Sequence, residues 1–146
     1  PTRGYLNLGD VAIYFTAFAL GPLTALLSGG LGTALADLIA GYSQWAPISL
    51  FVHGLQGLVA ALVGGLALAG KPRGWPFSPG WLIGAAAGTL VMCGGYLAAG
   101  AAMVGLGAAL VELPGNVLQN VVGIAVGIPL CLAVRRAYPP VAELRW

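Results

Sequence analysis

The feature that most constrains this chain is where charge is missing. Residues 11–36, 38–70, 74–111 and 113–134 contain no Asp, Glu, Lys or Arg. A soluble domain spreads charge over about a quarter of its residues, and stretches this long cannot cover a surface that faces water. With 59% hydrophobic residues, 7% charged and a mean hydropathy of +0.92, the surrounding medium must be lipid. The few charges are sorted. Lys71, Arg73, Arg135, Arg136 and Arg145 lie beside one set of run ends, and Asp10, Asp37 and Glu112 lie at or near the other.

A spanning helix needs about 20 apolar residues, so the runs can be divided. Gly21-Pro22 breaks the first, because proline removes a helix hydrogen bond and restricts its predecessor. The expected helices are about 8–20, 22–40, 47–69, 81–111 and 114–137, with Pro47 and Pro114 in opening turns, where proline is tolerated. The fourth is long enough to tilt, or to bend near Gly94-Gly95. The connectors are 1–9, the basic turn 70–80 and the tail 138–146. All-α, compact and helical, the chain reads as a single membrane domain over 1–146. Counting crossings, five of the six basic residues share one side, which the positive-inside rule makes cytoplasmic. Five spans put Pro1 on the outer side, and a sixth helix preceding it is expected.

Small residues supply the packing surfaces. Ala25, Gly29, Gly32 or Thr33, Ala36 and Ala40 form a stripe at helical period on the second run, and Gly123 and Gly127 do so on the last. In lipid, close approach of such faces holds helices together. The stripe fits either internal packing or the docking of another membrane subunit. Cys93 and Cys131 sit in apolar runs and read as small buried hydrophobes.

The polar residues inside the runs carry the functional signal. Ser49, His53, Gln56 and Gly57 share one face of the third run. Asn116, Gln119 and Asn120 open the last run, one turn beyond Glu112. Asp37 lies near its helix end, with Tyr42 and Trp45 just after it, while Tyr96 is nearer mid-membrane. All except Tyr96 map to the outward half. Polar groups in hydrocarbon pair with one another or line a wet cavity. Taken singly, His53 fits a satisfied bundle histidine, Asn116 a helix cap, Glu112 a loop acid and Asp37 a structural pair. Their convergence points to a ligand pocket. No catalytic constellation, metal-ligand spacing or glycine-rich phosphate loop accompanies them, so neither an enzyme nor a resident cofactor is expected. A net charge of +2, tied to loops, does not suggest nucleic acid. The expected ligand is small, flat and hydrogen-bonding, stacked by Trp45, Tyr42 and Tyr96 with amides and carboxylates at its edges.

Three stretches carry a resemblance. They are Gly4-Tyr5-Leu6-Asn7-Leu8-Gly9-Asp10; Gly21-Pro22-Leu23 with Gly29-Gly30-Leu31-Gly32 and Ala34-Leu35-Ala36-Asp37-Leu38; and Glu112-Leu113-Pro114-Gly115-Asn116 with Gln119-Asn120 and Gly123. In this order the chain resembles the substrate-binding S components of energy-coupling factor (ECF) transporters, in the branch linked to thiamine precursors and similar vitamins. The resemblance implies six helices, the first preceding this sequence, and a vitamin site on the outer side closed by residues 1–9. It also implies a transmembrane coupling subunit and two ATPases as partners, with the Ala25–Ala40 stripe matching the docking position on the third of the six helices. Related sequences often carry lysine where this one has His53 before Gly54, and an acid soon after Gly95-Tyr96, where this one reads Leu97-Ala98-Ala99-Gly100. Both departures fall near the pocket.

The expected function is therefore capture of a water-soluble vitamin or precursor in a bacterial cell membrane. Thiamine or its hydroxymethylpyrimidine precursor, pyridoxine and riboflavin are the candidates, delivered with an ATP-driven module. A small structural or assembly subunit without a ligand, or a small channel-forming protein, stays open.

Overall fold

The computed structural model describes residues 8–66 and 79–144. These form α1 (Gly9–Ala19), α2 (Pro22–Ile39), α3 (Ala46–Leu66), α4 (Pro79–Val104), α5 (Leu106–Ala137) and a short 3-10 turn, Pro139–Glu143. The protein is an all-α membrane protein. Four helices, α2 to α5, are long and apolar enough to cross a bilayer, and α1 is a shorter apolar helix of 11 residues. Residues 1–7, the basic turn through 78 and the last turn of the expected third helix (67–69) lie outside the described residues.

Local chemistry explains the boundaries. At the end of α1, the Thr16 carbonyl accepts both the Leu20 and Gly21 N–H groups at 2.8 and 3.0 Å. Gly21 then takes φ +101°, and Pro22 starts α2, where its missing N–H costs nothing. The Thr16 and Ser28 hydroxyls meet at 2.9 Å and tie the corner. α2 closes with a Schellman motif: Tyr42 N–H to the Asp37 carbonyl at 2.8 Å and Gly41 N–H to Leu38 at 3.3 Å, with Gly41 at φ +83°.

One boundary differs from the sequence reading. The helix expected over 81–111 ends at Val104, and the helix expected to open at Pro114 begins at Leu106. The reversal occurs at Gly105, at φ +92°, a backbone conformation that glycine adopts without a steric cost. Pro114 and Pro129 lie inside α5. Each removes one backbone hydrogen bond, which membrane helices tolerate where neighbours re-satisfy the freed carbonyl. α4 runs without interruption through Gly94-Gly95. A Cβ on Gly95 would come within 2.7 Å of Val52 Cγ2, so this glycine serves contact with α3.

Successive helices from α2 to α5 are neighbours, and α1 closes the ring by packing on α5, α2 and α3. The seams are made of glycine. A Cβ on Gly29 would fall 2.5 Å from the His53 carbonyl oxygen, and one on Gly57 2.5 Å from that of Ala25. Ala25, Gly29 and Thr33 therefore face α3 and are buried within the bundle. Gly32 has open space around it, and Ala36 is half-buried. The stripe thus splits into an inner face already occupied and an outer one.

The two ends of the bundle differ. At one end Tyr14, Ala17, Phe18, Trp81, Ala85 and Cys131 form an apolar core. Phe18 and Trp81 stack with centroids 5.3 Å apart. Arg135 lies 4.9 Å over the Trp81 ring and donates to the Phe18 carbonyl at 2.8 Å, placing a cation at the C-terminus of α1. Toward the other end, every helix contributes polar side chains.

Candidate ligand site

The site has a deep layer and a shallow one. Asp10, in the first turn of α1, is completely buried. Its two carboxylate oxygens accept from different helices: Oδ1 from Gln56 Nε2 on α3 and Oδ2 from Gln119 Nε2 on α5, both at 2.7 Å. Gln56 Nε2 also donates to Asn120 Oδ1 at 2.9 Å. The same oxygen receives the Tyr14 hydroxyl at 2.6 Å and the Thr89 hydroxyl at 3.2 Å. Asn120 Nδ2 donates to Met92 Sδ at 3.1 Å and to the Asn116 carbonyl at 3.0 Å. A single network therefore joins α1, α3, α4 and α5. Gly123 makes the deep layer possible, since a Cβ there would sit 2.5 Å from Asp10 Cβ.

His53 connects the layers. Because the Gln56 amide nitrogen is engaged as a donor, its Oε1 is the acceptor for His53 Nδ1 at 2.7 Å. This makes Nδ1 the protonated nitrogen, and it lies 3.6 Å from Asp10 Oδ1. The other side of the imidazole meets Tyr96 edge-on, with centroids 5.4 Å apart.

The shallow layer is built around Asp37. Near the end of α2 and almost fully buried, it accepts the Ser49 hydroxyl at Oδ2, 2.5 Å away. The Ser49 hydroxyl also meets the Tyr96 hydroxyl. Trp45 packs on Tyr96, centroids 5.9 Å apart and tilted by 41°. Ser49 is one turn into α3, so the α2–α3 corner presents the carboxylate, the hydroxyl and the indole together. A groove between α1 and α5, lined by Leu8, Asp10, Val11, Gln119, Val122 and Gly123, reaches the edge of the deep layer.

Of the residues expected to bind ligand, His53, Tyr96, Asp37 and Trp45 come together in and beside the shallow layer. Gln119 and Asn120 belong to the deep one, and Asn116 joins it through its backbone carbonyl. Tyr42 is half-buried and closes α2 through its backbone. Glu112 lies inside α5 rather than in a loop, half-buried, one turn before Asn116 and outside the hydrogen-bonded set. The residue that sequence reasoning missed as a site member is Asp10, together with Tyr14, Thr89 and Met92. Its signal was a lone carboxylate opening an apolar helix, read as a topology marker alone.

The fold and the cluster together define an all-α membrane protein whose helices gather carboxylates, amides and aromatic rings toward one end. The comparisons make the class specific. Residues 1–136 match the family of the ECF-type riboflavin transporter, S component, and the chain belongs to that family. It is a transporter component and not an enzyme. It is 34% identical over 148 residues to the "Uncharacterized protein in gap 3'region" of Pyrococcus woesei, covering 97% of this chain and 90% of that one. It is also 34% identical over 131 residues to the thiamine precursor transporter HmpT of Lactococcus lactis subsp. cremoris strain MG1363, covering 90% of this chain and 70% of that one.

Proposed function

We propose that this protein captures a small water-soluble vitamin or precursor in the shallow layer and hands it to an ATP-driven module of a coupling subunit and two ATPases. The observation that carries the reading is the Asp37–Ser49–Tyr96 set with Trp45 and His53 beside it. Carboxylate and hydroxyls can fix the edge of a planar ring while indole and phenol cover its faces. In this reading Asn116, Gln119 and Asn120 are the amides nearest the ligand on α5, and Tyr42 and Glu112 complete the proposed set. Family membership supports vitamin transport, and the two comparisons name different ligands, riboflavin and a thiamine precursor.

The basic residues favour an orientation with Arg135 and Arg136 on the cytoplasmic side of a bacterial cell membrane and the polar layers facing outward. With Ala25, Gly29 and Thr33 occupied by α3, the docking surface for the coupling subunit narrows to the Gly32 and Ala36 side of α2.

Purified protein titrated with thiamine, hydroxymethylpyrimidine, pyridoxine and riboflavin tests the capture step. Saturable quenching of tryptophan fluorescence by at least one of them is expected, lost in Trp45→Phe. Absence of any saturable response from protein with intact helical circular dichroism overturns the reading in favour of a structural subunit.

A further inference from the structure

The deep layer holds the helices together, and it also fixes the position of a proton. Gln56 Nε2 has Asp10 Oδ1 at 2.7 Å and Asn120 Oδ1 at 2.9 Å, oxygens from two other helices. Asn120 is held in its own orientation, because its Nδ2 donates to the Asn116 carbonyl at 3.0 Å. Were the Gln56 amide reversed, its oxygen would face the Asp10 carboxylate and Asn120 Oδ1, three acceptors with no proton between them. The amide therefore has one orientation, and it presents Oε1 to His53 Nδ1 at 2.7 Å.

An amide oxygen only accepts, so this contact requires a proton on Nδ1. In the neutral ring that leaves Nε2 bare, an acceptor and nothing else. Nε2 points away from Gln56 by the geometry of the imidazole, and among the described residues it takes no hydrogen bond. The ring is almost wholly buried and lies edge-on to Tyr96, whose hydroxyl meets Ser49 in the shallow layer. The deep layer thus determines what the imidazole offers on its other side. Without the Gln56 oxygen, the proton could sit on either nitrogen, and the ring could offer a donor as readily as an acceptor.

We infer that Gln56 is a positioning residue. Held by Asp10 and Asn120, it locks neutral His53 in the Nδ1–H form, and the bare Nε2 accepts a hydrogen bond from an N–H or O–H group of the captured compound. The second half rests on the capture reading, and the lock does not. A compound that brings a carbonyl oxygen or a ring lone pair against Nε2 leaves two buried acceptors facing each other, and it is rejected by the desolvation of both.

His53 is the only histidine in the chain, so nitrogen-15 labelling of histidine gives a spectrum of this ring alone. The purified full chain at neutral pH should show Nδ1 protonated and Nε2 unprotonated. An Nε2–H ring, or an imidazolium with both nitrogens protonated, overturns the lock, and that outcome needs neither a variant nor a ligand. Gln56→Met, with helical circular dichroism intact, should lose the single Nδ1–H form, and its retention overturns the role of Gln56. Gln56→Glu keeps an acceptor oxygen at the same reach and should keep the proton on Nδ1. An Nε2–H ring in that variant likewise overturns the relay.

Whichever of thiamine, hydroxymethylpyrimidine, pyridoxine and riboflavin quenches tryptophan fluorescence is then added to saturation. It should move the Nε2 resonance and leave Nδ1 nearly in place. Gln56→Met should weaken that compound at least about tenfold. In a His53→Asn background, where no imidazole remains to be set, the same substitution should cost less than about threefold. Binding with an unmoved Nε2 resonance, or the full loss in both backgrounds, overturns the acceptor role and leaves capture standing. Failure of all four compounds overturns capture and the acceptor role together, while the lock stands or falls by the spectrum of the free protein.

Discussion

Asp10 and Asp37 are both carboxylates buried toward one end of the same bundle, yet their surroundings make them different devices. Asp10 is held by amides from two other helices, on oxygens that have no further need of a ligand, and it abuts a glycine that accommodates nothing larger. Asp37 is met by a rotatable hydroxyl, close to a tilted aromatic pair. The difference teaches that a buried charge in a membrane bundle is not by itself a binding site. What matters is whether its partners are fixed donors on other helices or groups that can be exchanged. Asp10 acts as an anchor for the helices, and Asp37 is the carboxylate that the proposed capture reading assigns to a solute.

The comparison can be broken most directly at Asp10. Asp10→Ala removes the carboxylate that receives both the Gln56 and Gln119 amides, and a loss of about 3–5 kcal/mol of stability is expected. Thermal unfolding in detergent checks this, and near-native melting would remove the anchor role. Next in size is Gly123→Leu, which forces a side chain into Asp10 Cβ and should destabilise by about 1–3 kcal/mol, the usual range for overpacking. Its control is Gly32→Leu, where no atom lies within 4 Å of the added Cβ and melting should be unchanged.

Asp37→Asn should invert the pattern, with a small change in melting and a loss of about 2 kcal/mol in ligand binding, or roughly 30-fold. If melting falls as far as in Asp10→Ala while affinity holds, the two carboxylates do not divide the work. The smallest effect is expected for Tyr96→Phe. It keeps the ring against Trp45 and His53 but loses the hydroxyl beside Ser49, costing about 1 kcal/mol, a few-fold in affinity, by the same titration.

Much of this molecule was legible along the chain. The uncharged stretches and Gly21-Pro22 placed α1, α2 and the start of α3 near their observed limits, and the 4-3-1 spacing of Ser49, His53, Gln56 and Gly57 put them on one buried face of α3. Asp37, Tyr96, Trp45 and His53 were readable as a group because polar side chains in apolar runs are rare enough to stand out. The α4–α5 reversal was not, because both Gly105 and Pro114 are plausible stops, and a local rule cannot weigh one lost hydrogen bond against a positive φ. The small-residue stripe on α2 was legible as a surface, but not as two surfaces.

Asp10 shows where the division falls. The sequence by itself determined that this chain lives in lipid as helices and that its polar groups collect toward one end, because charge, hydropathy and helical period are properties of neighbouring residues. Only the tertiary structure decided that Asp10 is the centre of the deep layer. Its partners Gln56 and Gln119 are 46 and 109 residues away, and helical period fixes which face a side chain occupies but not which other helix will meet it.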